Sequence, residues 1–139
     1  MPAQRQGRKG SLTVREAIAA PGAPRAIGPY SPVIRAGNLL FISGQIPFNA
    51  ETGTVVTGDI AAQTDQVMRN LGTLLKAAGA GFEHVVRTTV FLMDMNDFAA
   101  MNESYATFVT DPPPARSTVQ VARLPRDARI EIDAIAVLP

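Results

Sequence analysis

In three stretches of this chain, strand alternation would send apolar side chains to both faces of a sheet. Along Leu39 to Ile46, the residues Leu40, Ile42, Gly44 and Ile46 form one face, while Leu39 and Phe41 begin the other before Ser43 and Gln45 turn it polar. Val85 to Leu92 sets Val85, Thr89 and Phe91 opposite Val86, Val90 and Leu92, and Ala128 to Leu138 sets Ile130, Ile132, Ala134 and Ala136 opposite Ile135 and Val137. Successive side chains of a strand point to opposite faces, so a sheet of such strands needs cover on both. Only two segments have helical periodicity. Ile60 to Ala78 places Ile60, Thr64, Val67, Met68, Leu71, Leu74, Leu75 and Ala78 on one stripe, with Asp59 to cap its start and Gly79 to stop it. Asp97 to Val109 carries Phe98, Met101, Tyr105 and Phe108 on one face, with Asn96 as the expected cap and Asp111-Pro-Pro-Pro114 as the stop. Two helices cover one face. Self-association is the expected cover for the second.

The remaining segments complete a β-ββ-α-β-α-ββ order. Leu12 to Ile18 is a short strand candidate, and the prolines and glycines of residues 20–30 make a stiff loop. Val33 to Ala36 and Leu39 to Ile46 flank Gly37-Asn38 as a hairpin, and Val55-Val56 forms a short extended piece after the turn at Glu51-Thr-Gly-Thr. Arg116 to Ala122 and Ala128 to Leu138 are the closing strands. The expected architecture is α+β, a mixed sheet with both helices packed on one face, in a single domain over residues 11–139. Residues 1–10 read as a disordered basic tail.

Composition excludes several classes of chemistry. The chain has 139 residues, no Cys and one His, so it offers no disulfide, no thiolate nucleophile and no two-histidine metal site; no metal ligand set is expected. No apolar run reaches the roughly 18 residues of a membrane span, and a signal peptide's apolar stretch is missing, so a soluble cytoplasmic protein is the expectation. The net charge of +1 is a sum of unlike parts. Arg5, Arg8, Lys9 and Arg15 occur with no acid before residue 16, leaving nine bases against twelve acids beyond them. A mildly acidic body with few aromatics argues against a nucleic-acid platform.

Five stretches carry a more specific signal: Ala26-Ile-Gly-Pro-Tyr-Ser31, Ile42-Ser-Gly-Gln-Ile-Pro47, Asn96-Asp-Phe-Ala-Ala-Met-Asn-Glu-Ser-Tyr105, Pro113-Pro-Ala-Arg-Ser-Thr-Val119 and Arg129-Ile-Glu-Ile132. In this order and spacing they resemble the RidA/YjgF family, also called the liver perchloric-acid-soluble protein family, from about Leu12 to Leu138. The resemblance implies a chorismate-mutase-like fold and a homotrimer whose sheets form a central β-barrel, with sites in clefts between subunits. It implies hydrolysis of 2-imino acids and their enamine tautomers, such as 2-iminopropanoate and 2-iminobutanoate, to 2-oxo acids and ammonia without a cofactor. By motif position, Arg116 corresponds to the arginine that holds the substrate carboxylate and Glu131 to the residue that positions the hydrolytic water. Tyr30, Ser43 with Gly44, Asn102 and the backbone at Thr118 correspond to the rest of the cleft. Two features depart from the family pattern: Thr118 stands where close relatives often have Cys, and the basic tail has no counterpart. Gly28-Pro29-Tyr30 favours the branch acting on small aliphatic imines.

The residue types suit that chemistry. A guanidinium matches a carboxylate as a planar two-pronged donor, and a glutamate can take a proton from water and return it to departing ammonia. Without the motif order each residue has a plainer reading. Arg116 would be a surface ion pair, Glu131 a solvent-facing strand residue, Tyr30 a packed loop anchor, Ser43-Gly44 a bulge, and Asn102 a solvated helix position. His84 is assigned no role. The alternatives to the deaminase are an endoribonuclease or translation inhibitor, and a non-enzymatic protein that binds small 2-oxo acids or acts as a chaperone.

Overall fold

The computed structural model describes residues 14–139. The expected basic tail, Leu12 and Thr13 lie outside the described residues. The elements are β1 (Glu16–Ala17), β2 (Val33–Ala36), β3 (Leu39–Gln45), β4 (Phe48–Asn49), β5 (Thr54–Val55), α1 (Ile60–Ala77), β6 (Val85–Leu92), α2 (Phe98–Ala106), β7 (Ala115–Gln120) and β8 (Ile130–Val137). The main sheet runs β1-β2-β3-β8-β6-β7, and β4 and β5 form a separate small hairpin. All neighbours in the main sheet are antiparallel except β6 and β7. A parallel pair needs a crossover, and the segment containing α2 supplies it.

Local chemistry explains the element ends. The Asp59 carboxylate accepts the Ala62 N–H at 2.9 Å and caps α1. At its other end Gly79 adopts φ 82°, so that Ala80 N–H reaches the Leu75 carbonyl and Gly79 N–H the Lys76 carbonyl, a Schellman closure. The start of α2 differs from the expectation. Asp94 accepts the Asn96 N–H at 2.9 Å, and a 3₁₀ turn over Met95–Asp97 precedes the helix, so Asn96 is a turn residue and not the cap. The helix stops at Ala106, short of Val109, where the Thr107 hydroxyl donates to the Ser104 carbonyl at 2.7 Å.

Both helices lie on one face of the sheet. Val67, Met68, Leu71, Leu74 and Leu75 of α1 and Met101 and Tyr105 of α2 join Leu40, Val90, Leu92, Ile130 and Ile132 in one core. Burial of these side chains, at about 25 cal/mol per Å², is the main force holding the layers together. Gln63 and Asn70 are buried polar residues of α1 with assigned partners. Gln63 accepts the Arg129 N–H at 2.9 Å, and Asn70 donates to the Ile46 and Phe48 carbonyls at 3.2 and 2.9 Å. The Arg129 guanidinium in turn pairs with Asp97 at 2.9 and 3.0 Å. Helix α1, the β4 entry, the β8 entry and the start of α2 are thus tied by polar contacts.

Two bulges change the alternation that the sequence suggests. Between Ile42↔Ala134 and Gln45↔Ile132, two residues of β3, Ser43 and Gly44, oppose Asp133 alone. Gln45 therefore takes the buried helix-side position that unbroken alternation assigns to Gly44 and Ile46. Between Val85↔Ala136 and Arg87↔Ile135, Val86 is the extra residue. Val85, Thr88, Val90 and Leu92 become the buried set, and Val86 is exposed. The opposite face of the sheet bears Leu39, Phe41, Val86 and Val119 as exposed apolar residues, and no element among the described residues covers it. No helix among them is long and apolar enough to cross a membrane.

Candidate active site

The expected site residues fall into two groups on opposite faces of the sheet. Tyr30, Ser43, Gly44 and Glu131 gather in an open cleft of about 420 Å³, closed by Ile27, Ile46 and Pro125. Glu131 is paired with Phe91 across the ladder and so projects from the face away from the helices. The β3 bulge brings Gly44 beneath it. A Cβ on Gly44 would meet the carboxylate, with Glu131 Cδ only 2.7 Å away, so hydrogen is the largest substituent that this approach admits. Burial raises the proton affinity of Glu131, and the neighbouring Asp133 carboxylate on the same strand face raises it further. Asp133 also accepts the Thr89 N–H at 3.2 Å.

The loop before β2 builds the wall of this cleft. The prolines that exclude a helix leave Tyr30 on a turn, where its hydroxyl accepts the Ile27 N–H at 3.2 Å while the residue remains 45% exposed. The Ser43 hydroxyl donates to the Ser31 carbonyl at 2.7 Å, and Ser43 N–H donates to the Pro32 carbonyl at 2.9 Å. Ser43 thus fastens the loop to β3 and keeps acceptor capacity on its oxygen.

The second group is built on β7 and α2. Arg116 pairs with Thr88 and Thr118 with Val90, both partners on the helix-side face, so Arg116 and Thr118 point to the opposite side from Glu131. The Arg116 guanidinium carbon lies 4.9 Å from the Tyr105 ring centroid and 5.6 Å from that of Phe98, and one of its nitrogens is 4.0 Å from the Met101 sulfur. It joins no salt bridge among the described residues, which replaces the surface-ion-pair reading. Stacked on two rings with its N–H groups uncommitted to any carboxylate, it is a positioned donor fork. Tyr105 is itself held by a 2.7 Å hydrogen bond between its hydroxyl and that of Thr88. Asn102 lies on α2 between Met101 and Tyr105, and its side-chain carbonyl oxygen and the Thr118 hydroxyl are both buried without partners. Unpartnered buried oxygens are uncommon and mark a place where a further polar group belongs.

The structure therefore assembles Tyr30, Ser43, Gly44 and Glu131, and separately Arg116, Asn102 and Thr118, without joining them in one chain. Sequence reasoning missed the cradle: Phe98, Met101 and Tyr105 read as a core stripe, yet they also seat Arg116. It also missed Asp133, although its two-residue spacing from Glu131 places both on one strand face. Among the described residues no three His, Cys, Asp or Glu side chains cluster as metal ligands.

Known proteins share this arrangement of elements. The family profile described as Endoribonuclease L-PSP matches residues 20–138. A RutC family protein of Pyrococcus horikoshii is 53% identical over 123 residues, covering 88% of this chain and 98% of that protein. The mouse protein named 2-iminobutanoate/2-iminopropanoate deaminase is 46% identical over 127 residues, covering 91% of this chain and 94% of its own length. Among solved structures, Escherichia coli TdcF with bound serine superposes with a TM-score of 0.84 at 41% identity, covering 89% of this chain and 99% of that one. With the motif order, the mixed sheet and these matches in agreement over nearly the whole described chain, the protein belongs to the RidA/YjgF family, whose profile carries the endoribonuclease L-PSP description.

Proposed function

We propose that this protein hydrolyses small 2-imino acids and their enamine tautomers, 2-iminopropanoate and 2-iminobutanoate among them, to 2-oxo acids and ammonia. The observation that carries the reading is the Glu131 carboxylate, half-buried over Gly44 with raised proton affinity, in a cleft walled by Tyr30 and Ser43. Water adds to the carbon of the protonated C=N group, and Glu131 accepts the proton that the water loses. Glu131 then returns the proton to the carbinolamine nitrogen, the C–N bond breaks to release ammonia, and the hydroxyl proton passes to Glu131 and on to water as the C=O bond of the 2-oxo acid forms. Arg116 holds the substrate carboxylate by two parallel N–H···O bonds, with Asn102 and Thr118 beside it. The mouse relative's name and the serine bound to TdcF, an amino acid with a carboxylate next to an amine-bearing carbon, support this substrate class.

The two half-sites complete each other between copies of the chain in a homotrimer with a central barrel. Exposed apolar residues support this assembly, because they border both halves: Ile27 and Tyr30 line the Glu131 cleft, and Phe98 lies against Arg116. Leu39, Phe41 and Val86 extend them over the open sheet face. The test couples the protein to an amino-acid oxidase or threonine dehydratase and follows imine disappearance. Arg116→Ala is expected to lose activity by roughly 1.5–3 kcal/mol of carboxylate anchoring, about 10- to 150-fold. Co-assembled Arg116→Ala and Glu131→Gln subunits should recover about a quarter of the sites, as random pairing requires. Full activity of Arg116→Ala would refute the deaminase reading, and no recovery on mixing would refute the shared site.

A further inference from the structure

A second cavity, of about 390 Å³, continues the Glu131 cleft and shares Ile27, Tyr30, Gly44 and Ile46 with it. Its charge is one-sided. Arg25 and Arg126 line it and no Asp or Glu does, and neither guanidinium joins a salt bridge among the described residues. Arg126 is held there by an uncommon backbone. It sits at φ 56°, ψ 24°, followed by Asp127 at φ 57°, in the turn before β8. Left-handed conformations disfavour residues other than Gly, Asn and Asp, and persist where the surroundings impose them. The Arg123–Asp127 ion pair at 2.8 Å closes the turn, and the Arg126 guanidinium lies 5.3 Å from the Phe48 ring centroid. The β4–β5 hairpin that carries Phe48 is fastened to α1 through Asn70, so the cation rests on an anchored ring.

A three- or four-carbon imino acid leaves most of this space unfilled, since pockets of roughly 300–1,000 Å³ accommodate far larger ligands. We infer that the Arg25–Arg126 cavity is an anion subsite of the imine cleft, which takes the acidic side chain of a dicarboxylic 2-imino acid or of its 2-oxo acid product. Two cations and no carboxylate among the lining residues favour an organic anion over a neutral side chain. The inference rests on the deaminase reading for the reaction, and on the cavity alone for binding.

The experiment uses the full chain and two probe pairs. Arg126→Gly removes the guanidinium while keeping a backbone that glycine adopts freely, and Arg126→Lys retains the charge. Turnover of 2-iminoglutarate relative to 2-iminobutanoate, each generated by an amino-acid oxidase, should fall about tenfold in Arg126→Gly. The ratio should be largely kept in Arg126→Lys. Calorimetric affinity for 2-oxoglutarate relative to 2-oxobutanoate should fall by the same factor. An unchanged ratio in both measurements overturns the subsite. If the wild-type protein turns over neither imine, the deaminase reading fails, and the 2-oxoglutarate affinities of wild type and Arg126→Gly still decide the subsite.

Discussion

Gly44→Ala isolates the contact on which the proposed chemistry rests. The residue sits in the β3 bulge without a left-handed φ, so alanine fits its backbone and the effect comes from the methyl group. That carbon would stand 2.7 Å from Glu131 Cδ and 3.0 Å from Cγ, against an ordinary contact of at least 3.4 Å. The carboxyl carbon must therefore retreat by about 0.7 Å, which a flexible side chain does at a cost of about 1 kcal/mol in rotamer strain. Stability falls little, with a Tm shift of roughly 3–6 °C. Activity falls more, because a misplacement of about 1 Å in a reacting group costs on the order of 100-fold. Imine hydrolysis by Gly44→Ala should therefore drop 10- to 100-fold in kcat/KM. In a Glu131→Ala background, the same glycine substitution should cost no stability, since the clashing group is gone. Turnover within about twofold of wild type, with Glu131→Gln inactive, would refute the claim that this close approach sets the position of the water-activating carboxylate.

Other outcomes follow from the same geometry. Arg116→Lys should keep its charge and still lose at least tenfold in kcat/KM, because an ammonium cannot present two parallel donors; equal activity would reduce Arg116 to a point charge. The proton on Glu131 is bound more tightly in the folded than in the unfolded chain, so its contribution to stability is present below the ordinary glutamate pKa and is lost as pH rises through the folded value. Glu131→Gln should accordingly gain Tm over wild type at pH 7 relative to pH 4, and a pH-independent difference would contradict this. Asp133→Asn removes the like charge and should move the acid limb of the pH–rate profile to lower pH; a limb that stays put would exclude coupling between the two carboxylates. Asp59→Ala should destabilise the fold by about 1 kcal/mol in chemical denaturation through loss of the Ala62 N–H partner.

Much of this protein is legible in short windows of sequence, because the governing physics is local. The stripe from Ile60 to Leu75, the Asp59 cap, the Gly79 stop and the Gly37-Asn38 turn all depend on neighbours within a few residues, and all are found where the spacing puts them. The excess of two-faced strands over helices is equally local to read, and it corresponds to the exposed Leu39, Phe41, Val86 and Val119. The candidate site residues are legible differently, through the order and spacing of five stretches that resemble one family, since Arg116 and Glu131 each have a plainer reading alone.

Their placement was not. Strict alternation puts Gly44 on the core side and groups Val85 with Thr89 and Phe91, and both assignments fail at bulges formed only when β3 and β6 meet β8. Pairing energy across strands distant in sequence selects those bulges, and no local window contains it. The parallel pairing of β7 with β6 then turns Arg116 to the helix side, onto rings that α2 delivers, while Glu131 faces the other way. Short windows of sequence mark the α1 stripe, its two ends and the β2–β3 hairpin, but not the β4 strand at Phe48–Asn49 or the early end of α2. That the carboxylate and the guanidinium lie on opposite faces of one sheet follows from pairing across the folded chain, because strand register sets the direction of a side chain.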